Sequence, residues 1–221
     1  MDDRLDVLVA SAAHVGFADA ICDLMAEAAK VRGTGIAKRD PVYVARKMEQ
    51  GKAVIALAAA DAQGATQRLA GFCYIERWEG RKFVANSGLI VHPDFRGRGL
   101  ARRIKAATFD LSRRRYPQAK LFGITTSPAV MHVNSELGYR PVPLYELTQD
   151  ETFWRGCASC PNYDILQRTE RRMCLCTGMV CDLAKLPPLP EASGQAELFA
   201  EAPPSAQPPT PPDAPHDPTH A

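Results

Sequence analysis

The sequence predicts an α/β (α+β) fold in which helices flank a mixed, mostly antiparallel sheet. Short apolar segments of strand length alternate with longer segments in which apolar residues recur every three or four positions, as in a helix. At the centre of the chain, a glycine-rich loop at residues 96–99 joins an apolar strand to a helix. Five of the seven cysteines fall within residues 157–181, which indicates a short cysteine-rich extension at the C-terminal side of this fold.

Composition limits the function classes. The 221 residues suffice for one domain of ordinary size and an additional segment, and hydrophobic residues make up 46% of them. Because the net charge is only +2, we expect no nucleic-acid partner, and a homodimer stays an open alternative. The sequence has neither an apolar run of membrane-spanning length nor a signal-peptide pattern, so we expect a cytoplasmic protein without a membrane partner. Cysteines in that compartment indicate thiols or a metal site rather than structural disulfides.

The first half of the chain reads as four strands and two helices. Strand patterns cover residues 6–10, 52–60, 69–78 and 83–91, and helical patterns cover residues 17–31 and 41–51. Asp40 and Pro41 suit the N-cap and the first position of the second helix, and Gly51 suits its C-terminal cap. Since short polar turns separate the second, third and fourth strands, these three strands are predicted to form an antiparallel meander.

The segment GLIVHPDFRGRGLA, residues 88–101, is the centre of the prediction. It reads as a strand end, a turn and a helix N-terminus. Free N–H groups at such a terminus, together with the flexible Gly97 and Gly99, favour binding of an anion such as a diphosphate. Arg102, Arg103 and Lys105 fall off the apolar face of the helix. That apolar face is marked by Leu100, Ile104, Ala107 and Leu111.

The second half begins with a strand at residues 120–126, which the central helix connects in parallel to the fourth strand. Ser127 and Pro128 suit the start of a further helix, and Gly138 suits its end. Residues 148–185 form the cysteine-rich extension, which is expected to pack on the preceding domain. Residues 186–221 are rich in proline and alanine without apolar periodicity, so we expect them to be disordered.

The glycine-rich loop resembles the coenzyme A pyrophosphate loop of the GNAT acyltransferases, in which Arg96, Gly99 and Ala101 fill the positions of the pattern Arg/Gln-x-x-Gly-x-Gly/Ala. A P-loop would need Lys-Ser/Thr after its second glycine, and a Rossmann motif would need GxGxxG after an early strand. The resemblance implies a GNAT domain over residues 1–147 that uses acetyl-CoA, with the pantetheine arm between the fourth and fifth strands. The implied CoA-binding residues are Leu89, Ile90, Val91, Arg96, Gly97, Arg98, Gly99, Leu100, Ala101 and Arg102.

Acyl transfer needs a base for the acceptor ammonium, donors for the oxyanion and an acid for the leaving thiolate. Glu76 and His92 are the ionisable candidates for the base. Ser87 and Asn86 are alternatives that would position a water molecule. The resemblance implies that the backbone N–H of Val91 donates to the oxyanion.

The position of the leaving-group acid departs from the family. Many GNAT members carry a tyrosine four residues before the glycine of a Gly-Phe/Tyr pair, and here that position holds Asn134. Asparagine donates a hydrogen bond but supplies no proton at neutral pH. Ser135 and His132 are nearby substitutes, or the thiolate leaves without assistance.

The acceptor is expected to be anionic. The loop between the first two helices, KVRGTGIAKR at residues 30–39, carries four cations in ten residues, and arginine forks bind carboxylates. A solvated basic loop without a ligand is the alternative. The expected acceptor-binding residues are Arg32, Lys38, Arg39, Ser87 and Thr126.

A narrower resemblance covers most of the chain. The segments KVRGTGIAKR, GKAVIA, GFCYIE, VANSGLIVHP, LFGITTSPAVM, NSELGYRPV, CPNYDILQR and MCLCTGM are similar to the N-acetylglutamate synthase-like acetyltransferases of bacterial arginine biosynthesis. This implies acetyl transfer from acetyl-CoA to L-glutamate. A relative that uses succinyl-CoA, an enzyme for another small amine or a protein lysine, and a CoA-binding sensor without catalysis stay open as alternatives.

The extension predicts a structural zinc site. Cys157 and Cys160 lie in a turn, whereas Cys174 and Cys176 read as part of a strand and would share one of its faces. Two such pairs can make a tetrahedral four-thiolate site, although the second spacing is shorter than usual and Cys181 could replace one ligand. Small buried thiols or a redox pair are the alternatives.

Overall fold

The computed structural model describes residues 4–32, 39–59, 67–158, 160 and 162–189, with only the backbone at residues 31 and 32. The strands are β1 (Leu5–Val9), β2 (Ala53–Ala58), β3 (Arg68–Trp78), β4 (Phe83–Val91), β5 (Lys120–Thr125), β6 (Arg140–Val142) and β7 (Thr177–Asp182). The helices are α1 (Ala18–Arg32), α2 (Pro41–Glu49), α3 (Leu100–Arg115), α4 (Pro128–Glu136), α5 (Glu151–Arg155) and α6 (Tyr163–Arg168). In this part of the chain the strands form one sheet in the order β1-β2-β3-β4-β5-β7-β6.

The sheet is mixed and mostly antiparallel, as predicted. Strands β2, β3 and β4 form the expected meander, and β4 and β5 are the parallel pair. The parallel pairing follows from the long crossover through α3, since a short turn permits only an antiparallel neighbour. The predicted α/β fold class is therefore confirmed.

Capping residues fix the helix starts where the sequence predicts them. The side chain of Asp40 accepts hydrogen bonds from the backbone N–H groups of Val42 and Tyr43, with distances of 2.8 and 3.2 Å. Ser127 accepts in the same way from Val130 at 3.4 Å, and Gly138 ends α4 with a positive φ of 88°. These local signals are read correctly from sequence because each depends on neighbours within four residues.

The extension contributes a strand to the sheet. Strand β7 lies between β5 and β6, antiparallel to both, and Leu121 of β5 pairs with Cys181 of β7. The prediction that Cys174 and Cys176 lie in a strand is wrong, because the strand begins at Thr177. The reason is that the apolar residues around Cys181 are buried in the sheet, whereas Leu175 is 63% exposed and would gain no burial from a strand position.

The two faces of the sheet are covered by different helices. On one face, called here the acceptor face, α1 and α2 pack on Phe72 and Tyr74 of β3. On the opposite face, called here the α3 face, α3 lies so close that a Cβ on Gly71 would come within 2.5 Å of Ile104 Cδ1. Alternation along β3 assigns successive residues to opposite faces. Residues 190–221, which include most of the predicted disordered tail, lie outside the described residues.

Candidate active site

A gap opens in the sheet where β4 and β5 separate. The two strands pair over three positions only, from Phe83 with Lys120 to Ala85 with Phe122. Beyond that point residues 86–89 of β4 and residues 123–125 of β5 are half-buried, although they belong to central strands of the sheet. A Cβ on Gly123 would meet no atom within 4 Å. The gap therefore offers space and unpaired strand edges to an extended ligand.

The glycine-rich loop lies at the open end of this gap, opposite the end where β4 and β5 pair, and has an anion-binding geometry. Gly97 and Gly99 have φ angles of 76° and 70°, which side-chain-bearing residues rarely adopt, and a Cβ on either would meet no atom within 4 Å. Gly99 is the N-cap of α3 and provides no side-chain cap, so the first-turn N–H groups are available to a ligand. The positive end of the helix dipole favours an anion there.

The other predicted loop residues fall into two groups. Arg96 donates from Nε to the carbonyl oxygen of Val91 at 3.2 Å, which holds the loop against the end of β4. Ile90 and Leu100 are each 2% exposed, so their side chains belong to the core. Arg102 donates to Glu136 of α4 at 2.8 Å in an exposed ion pair. The structure thus assigns fold-holding contacts to four of the residues expected at the CoA site.

A largely buried ion pair lies on the acceptor face near the closed end of the gap. Lys47 of α2 contacts Glu76 of β3 with an Nζ–Oε1 distance of 2.6 Å, and their side chains are 12% and 20% exposed. Glu76 is opposite Ala85, the last residue of β4 that pairs with β5. Burial raises the pKa of Glu76 to about 7, and burial lowers the pKa of Lys47 to about 7. Proton exchange at this pair is therefore possible near neutral pH.

Aromatic rings and a second cation surround this pair. Lys47 Nζ lies 4.9 Å from the ring centroid of Tyr43 and 5.7 Å from that of Tyr74. Arg39 donates from Nε to the hydroxyl of Tyr74, and its guanidinium lies 5.8 Å from the centre of that ring. Ser87 is the cross-strand partner of Tyr74 and so lies on the same face. Two cations around one carboxylate favour an anionic ligand here.

Other residues predicted for catalysis or acceptor binding are exposed, hold a turn or lie outside the described residues. The Nδ1 atom of His92 accepts from the backbone N–H of Asp94 at 3.3 Å, so this side chain caps the turn after β4. Ser135 is exposed on α4, and Thr126 is exposed just after β5. His132 is also exposed and contacts Glu136 at 3.3 Å. The side chain of Arg32 and the whole of Lys38 lie outside the described part of the chain.

Asn134 is buried at the position where the resemblance implies an acid. It is 2% exposed, and its Nδ2 lies 3.6 Å from the sulfur of Met179. Its Oδ1 has no hydrogen-bond partner within the described part of the chain. An unsatisfied buried acceptor is uncommon in a folded protein, so this oxygen is available to a donor from water or a ligand. Asn134 therefore suits a role in binding an N–H group.

Sequence reasoning missed a polar cluster on the α3 face. Lys105 is 3% exposed, although it falls off the apolar face that the sequence pattern marks. The reason is that α3 buries a second row at helical spacing, formed by Lys105, Thr108 and Ser112, beside its apolar row. Asn86 donates to Ser112 Oγ at 2.8 Å and accepts from the Tyr139 hydroxyl at 3.3 Å. The spacing of 105, 108 and 112 was the available signal.

The four cysteines of the predicted zinc site share one region without forming a metal centre. Cys157 and Cys174 pack against the same core cluster, which includes Trp154. Burial, followed by repulsion from the neighbouring thiols, raises the pKa of Cys157 to about 11 and that of Cys176 to about 12. Within the described residues, no group of three or more histidine, cysteine, aspartate or glutamate side chains is arranged to hold a metal ion. The geometry gives no support to zinc at Cys157, Cys160, Cys174 and Cys176.

Residues 38–132 match the family model described as the acetyltransferase (GNAT) family. The GNAT acetyltransferase family pattern therefore covers the segment that contains β4, the glycine-rich loop and α3. None of the curated proteins matches this chain. No helix among the described residues has the length and hydropathy needed to cross a membrane.

Solved structures share the fold at low identity. N-acetylglutamate synthase from Neisseria gonorrhoeae, solved with coenzyme A and N-acetyl-glutamate, is 18% identical with a TM-score of 0.54 over 83% of this chain and 36% of that one. The present chain thus spans about a third of that protein. A Mycobacterium tuberculosis protein solved with CoA is 15% identical, with a TM-score of 0.52 over 80% and 98% of the two chains. The protein yncA from Salmonella typhimurium, solved with acetyl-CoA, is 16% identical, with a TM-score of 0.53 over 86% and 99%.

Proposed function

We propose that this protein is an acyl-CoA-dependent N-acetyltransferase that transfers the acetyl group of acetyl-CoA to the α-amino group of an anionic amino acid, with L-glutamate as the acceptor. The observation that carries the proposal is the gap between β4 and β5, with the anion-binding N-terminus of α3 at one end and the Glu76–Lys47 pair at the other. A diphosphate needs the helix N-terminus, an extended arm needs the gap, and a reacting thioester needs the ionisable pair.

Coenzyme A fits this arrangement from the loop inward. The diphosphate would accept hydrogen bonds from the first-turn N–H groups of α3, where Gly97 and Gly99 leave space for its oxygens. The pantetheine arm has amides that can pair with the open edges of β4 and β5, as an added strand would. The unsatisfied Oδ1 of Asn134 would accept from an amide N–H of that arm.

Glu76 is the proposed general base. A base near its own pKa at the working pH removes a proton most effectively, and the pKa of Glu76 is about 7. Its Oε1 contact to Lys47 at 2.6 Å holds the carboxylate in place. The amine would then attack the thioester carbonyl, whose oxyanion would accept from the backbone N–H of Val91.

Arg39 is the proposed partner of the acceptor carboxylate. Tyr74 fixes its guanidinium beside Glu76, and a guanidinium binds a carboxylate with two parallel hydrogen bonds. Glutamate would bring two carboxylates to a site that carries Arg39 and Lys47. The similarity in fold to a protein solved with N-acetyl-glutamate favours the same acceptor, and with it a role in arginine biosynthesis in the cytoplasm. A sensor that binds acetyl-CoA without turnover is the second candidate, because Asn134 replaces the usual acid.

The test of the CoA site uses a charge at the start of α3. In Ala101→Glu, the carboxylate would repel the diphosphate, and we expect calorimetry to show at least a hundredfold weaker binding of acetyl-CoA. An acidic residue in the first turn of a helix does not destabilise it, so the melting temperature should not fall. Ala101→Gln has the same size without the charge and should retain most of the affinity. Equal binding by the Glu and Gln variants would contradict the assignment.

Zinc at the four cysteines is a separate proposal that rests on their spacing. Crowded thiols resist ionisation, and a divalent cation would offset the repulsion among their thiolates. The site would be structural, since four thiolates leave no open position. Metal analysis of protein purified without chelator should find about one zinc per chain. Protein free of zinc and iron would contradict it.

A further inference from the structure

Lys105 is a buried lysine with no carboxylate partner among the described residues. The residue is 3% exposed, and within the described part of the chain no carboxylate pairs with its ammonium. Its Nζ lies 5.2 Å from the ring centroid of Tyr139, and the titratable groups that face it are this phenol and the thiol of Cys73 on β3. Burying an unpaired ammonium costs on the order of several kcal/mol. Packing alone therefore does not account for a lysine at this position, which favours a functional role.

The position of Lys105 relates directly to the gap. Tyr139, whose ring contacts the ammonium, donates to Asn86, and Asn86 is the first residue of β4 beyond the last pair with β5. Lys105 therefore lies behind the closed end of the gap on the α3 face. Glu76 approaches the same end from the acceptor face, since it is opposite Ala85. Two ionisable groups thus flank the place where the thioester would react.

The α3 face also carries the position from which an acid would protonate the leaving sulfur of coenzyme A, and that position holds no acid in this chain. Asn134 lies on this face, beside Met179, and supplies no proton. Ser135 and His132 are exposed on α4 and do not share its buried position. Burial lowers the pKa of Lys105, so its ammonium gives up a proton more readily than an exposed lysine.

We propose that Lys105 protonates the sulfur of coenzyme A as it leaves, which replaces the acid that Asn134 cannot provide. The inference rests on the proposed acetyltransferase function. The amine nitrogen forms its bond to the carbonyl carbon after Glu76 has taken one proton and passed it to solvent. The C–S bond then breaks, its electron pair goes to sulfur, and a proton of Nζ transfers to that sulfur. Glu76 takes the remaining excess proton of the product nitrogen and passes it to solvent, and Lys105 regains a proton from water as the thiol product leaves, which restores the starting state.

The first test measures the bound thiol without turnover. An ammonium beside the sulfur favours the thiolate, so the thiol of coenzyme A bound to wild-type protein should ionise at lower pH than the free thiol. The thiolate fraction, followed by its ultraviolet absorbance, should be on the order of tenfold higher or more at a given pH. In Lys105→Met, a substitution of similar length that removes the charge, this shift should vanish while coenzyme A binding persists. A shift that stays in Lys105→Met would overturn the proposal.

The second test measures catalysis. We expect Lys105→Met to lower kcat by about a hundredfold to ten-thousandfold, the range of a lost general acid, with the KM values nearly unchanged. An aryl acetyl thioester, whose thiol leaves without protonation, should react almost equally with wild type and variant, whereas Glu76→Gln should stay impaired. Lys105→Arg keeps the charge without a transferable proton, so it serves as the folded comparison if the methionine variant is unstable.

The two proposals fail in different ways. If wild-type protein releases no thiol with any acceptor, the proposed function is wrong, and the titration of bound coenzyme A still decides whether Lys105 faces the sulfur. If wild type turns over and both Lys105 variants retain kcat, only the role of Lys105 is wrong. A kcat loss that the aryl thioester does not relieve would indicate a structural role and would equally overturn the proposal.

Discussion

Two largely buried lysines approach the same end of the strand gap, and their surroundings differ. On the acceptor face, Lys47 contacts Glu76 at 2.6 Å and lies against the rings of Tyr43 and Tyr74. On the α3 face, Lys105 has the ring of Tyr139 and no carboxylate among the described residues. The paired lysine stabilises a base in its charged form, whereas the unpaired one is left free to interact with an anion that arrives. The difference assigns proton removal to one face of the sheet and proton delivery to the other.

The largest expected effect comes from removing the base. Glu76→Gln keeps the shape of the side chain but cannot accept a proton, so kcat should fall by about a hundredfold to ten-thousandfold. In wild type, activity should rise with pH through about 7, because the active form of Glu76 is the carboxylate. That inflection should disappear in the variant, while calorimetry shows unchanged acetyl-CoA binding. A variant with near-normal kcat would remove the acceptor face from the mechanism.

Arg39→Ala should weaken acceptor binding. Burial raises the pKa of Glu76 and the charge of Arg39 offsets part of that rise, so the variant should also move the rising limb of the pH–rate profile to higher pH. Loss of a charged hydrogen bond of about 1.5–3 kcal/mol corresponds to an increase of about ten- to a hundredfold in the KM for glutamate. The KM for acetyl-CoA should not change, because Arg39 lies on the acceptor face beside Tyr74. Arg39→Lys keeps the charge but not the planar, two-pronged guanidinium, so its KM for glutamate should lie between those of wild type and Arg39→Ala. Equal changes in both KM values would contradict the proposed role.

Lys47→Met should change the pH dependence more than the maximal rate. Without the cation at 2.6 Å, the charged form of Glu76 is less favourable, so its pKa rises further above 7. The rising limb of the pH–rate profile should therefore move to higher pH, and the rate at pH 7 should fall several-fold and recover on the alkaline side. A profile that keeps its wild-type midpoint would show that the pair does not tune the base.

The smallest effect on catalysis is expected from Cys157 in the extension, to which the proposed mechanism gives no role. Cys157 packs with Trp154 against the core under β5 and β7. Cys157→Ser should lower the melting temperature by several degrees, because it removes a half-buried thiol and any metal bound there. The kcat measured in the cold should stay within about twofold of wild type. Loss of kcat without loss of stability would connect the cysteines to the reaction.

Sequence reasoning predicts the features that depend on near neighbours. The N-cap at Asp40, the positive φ of Gly99 and the start of α3 at Leu100 follow from residue types within a few positions. It fails where the partner is distant in the chain. Glu76 finds Lys47 29 positions away, and β7 enters the sheet beside β5 although more than fifty residues separate them.

The burial of Lys105 shows a second limit of the sequence pattern. An apolar row predicts the centre of a buried helix face but not its width, and α3 buries an adjacent polar row with Thr108 and Ser112. Both hydroxyls donate hydrogen bonds to carbonyl oxygens of the helix backbone, which offsets the desolvation cost of burying them. Lys105 gains no such bond, and only the packed structure shows this.

Thiol release from acetyl-CoA measures the proposed reaction directly. Wild-type protein incubated with acetyl-CoA and each amino acid in turn should release free coenzyme A thiol with L-glutamate, well above the rate without an acceptor. Ala101→Glu should abolish this release, and Ala101→Gln should retain it. The product should be N-acetylglutamate by mass spectrometry. Tight binding of acetyl-CoA by wild-type protein, with no thiol released above background for any amino acid or for succinyl-CoA, would instead contradict an amino-acid acyltransferase and favour a sensor.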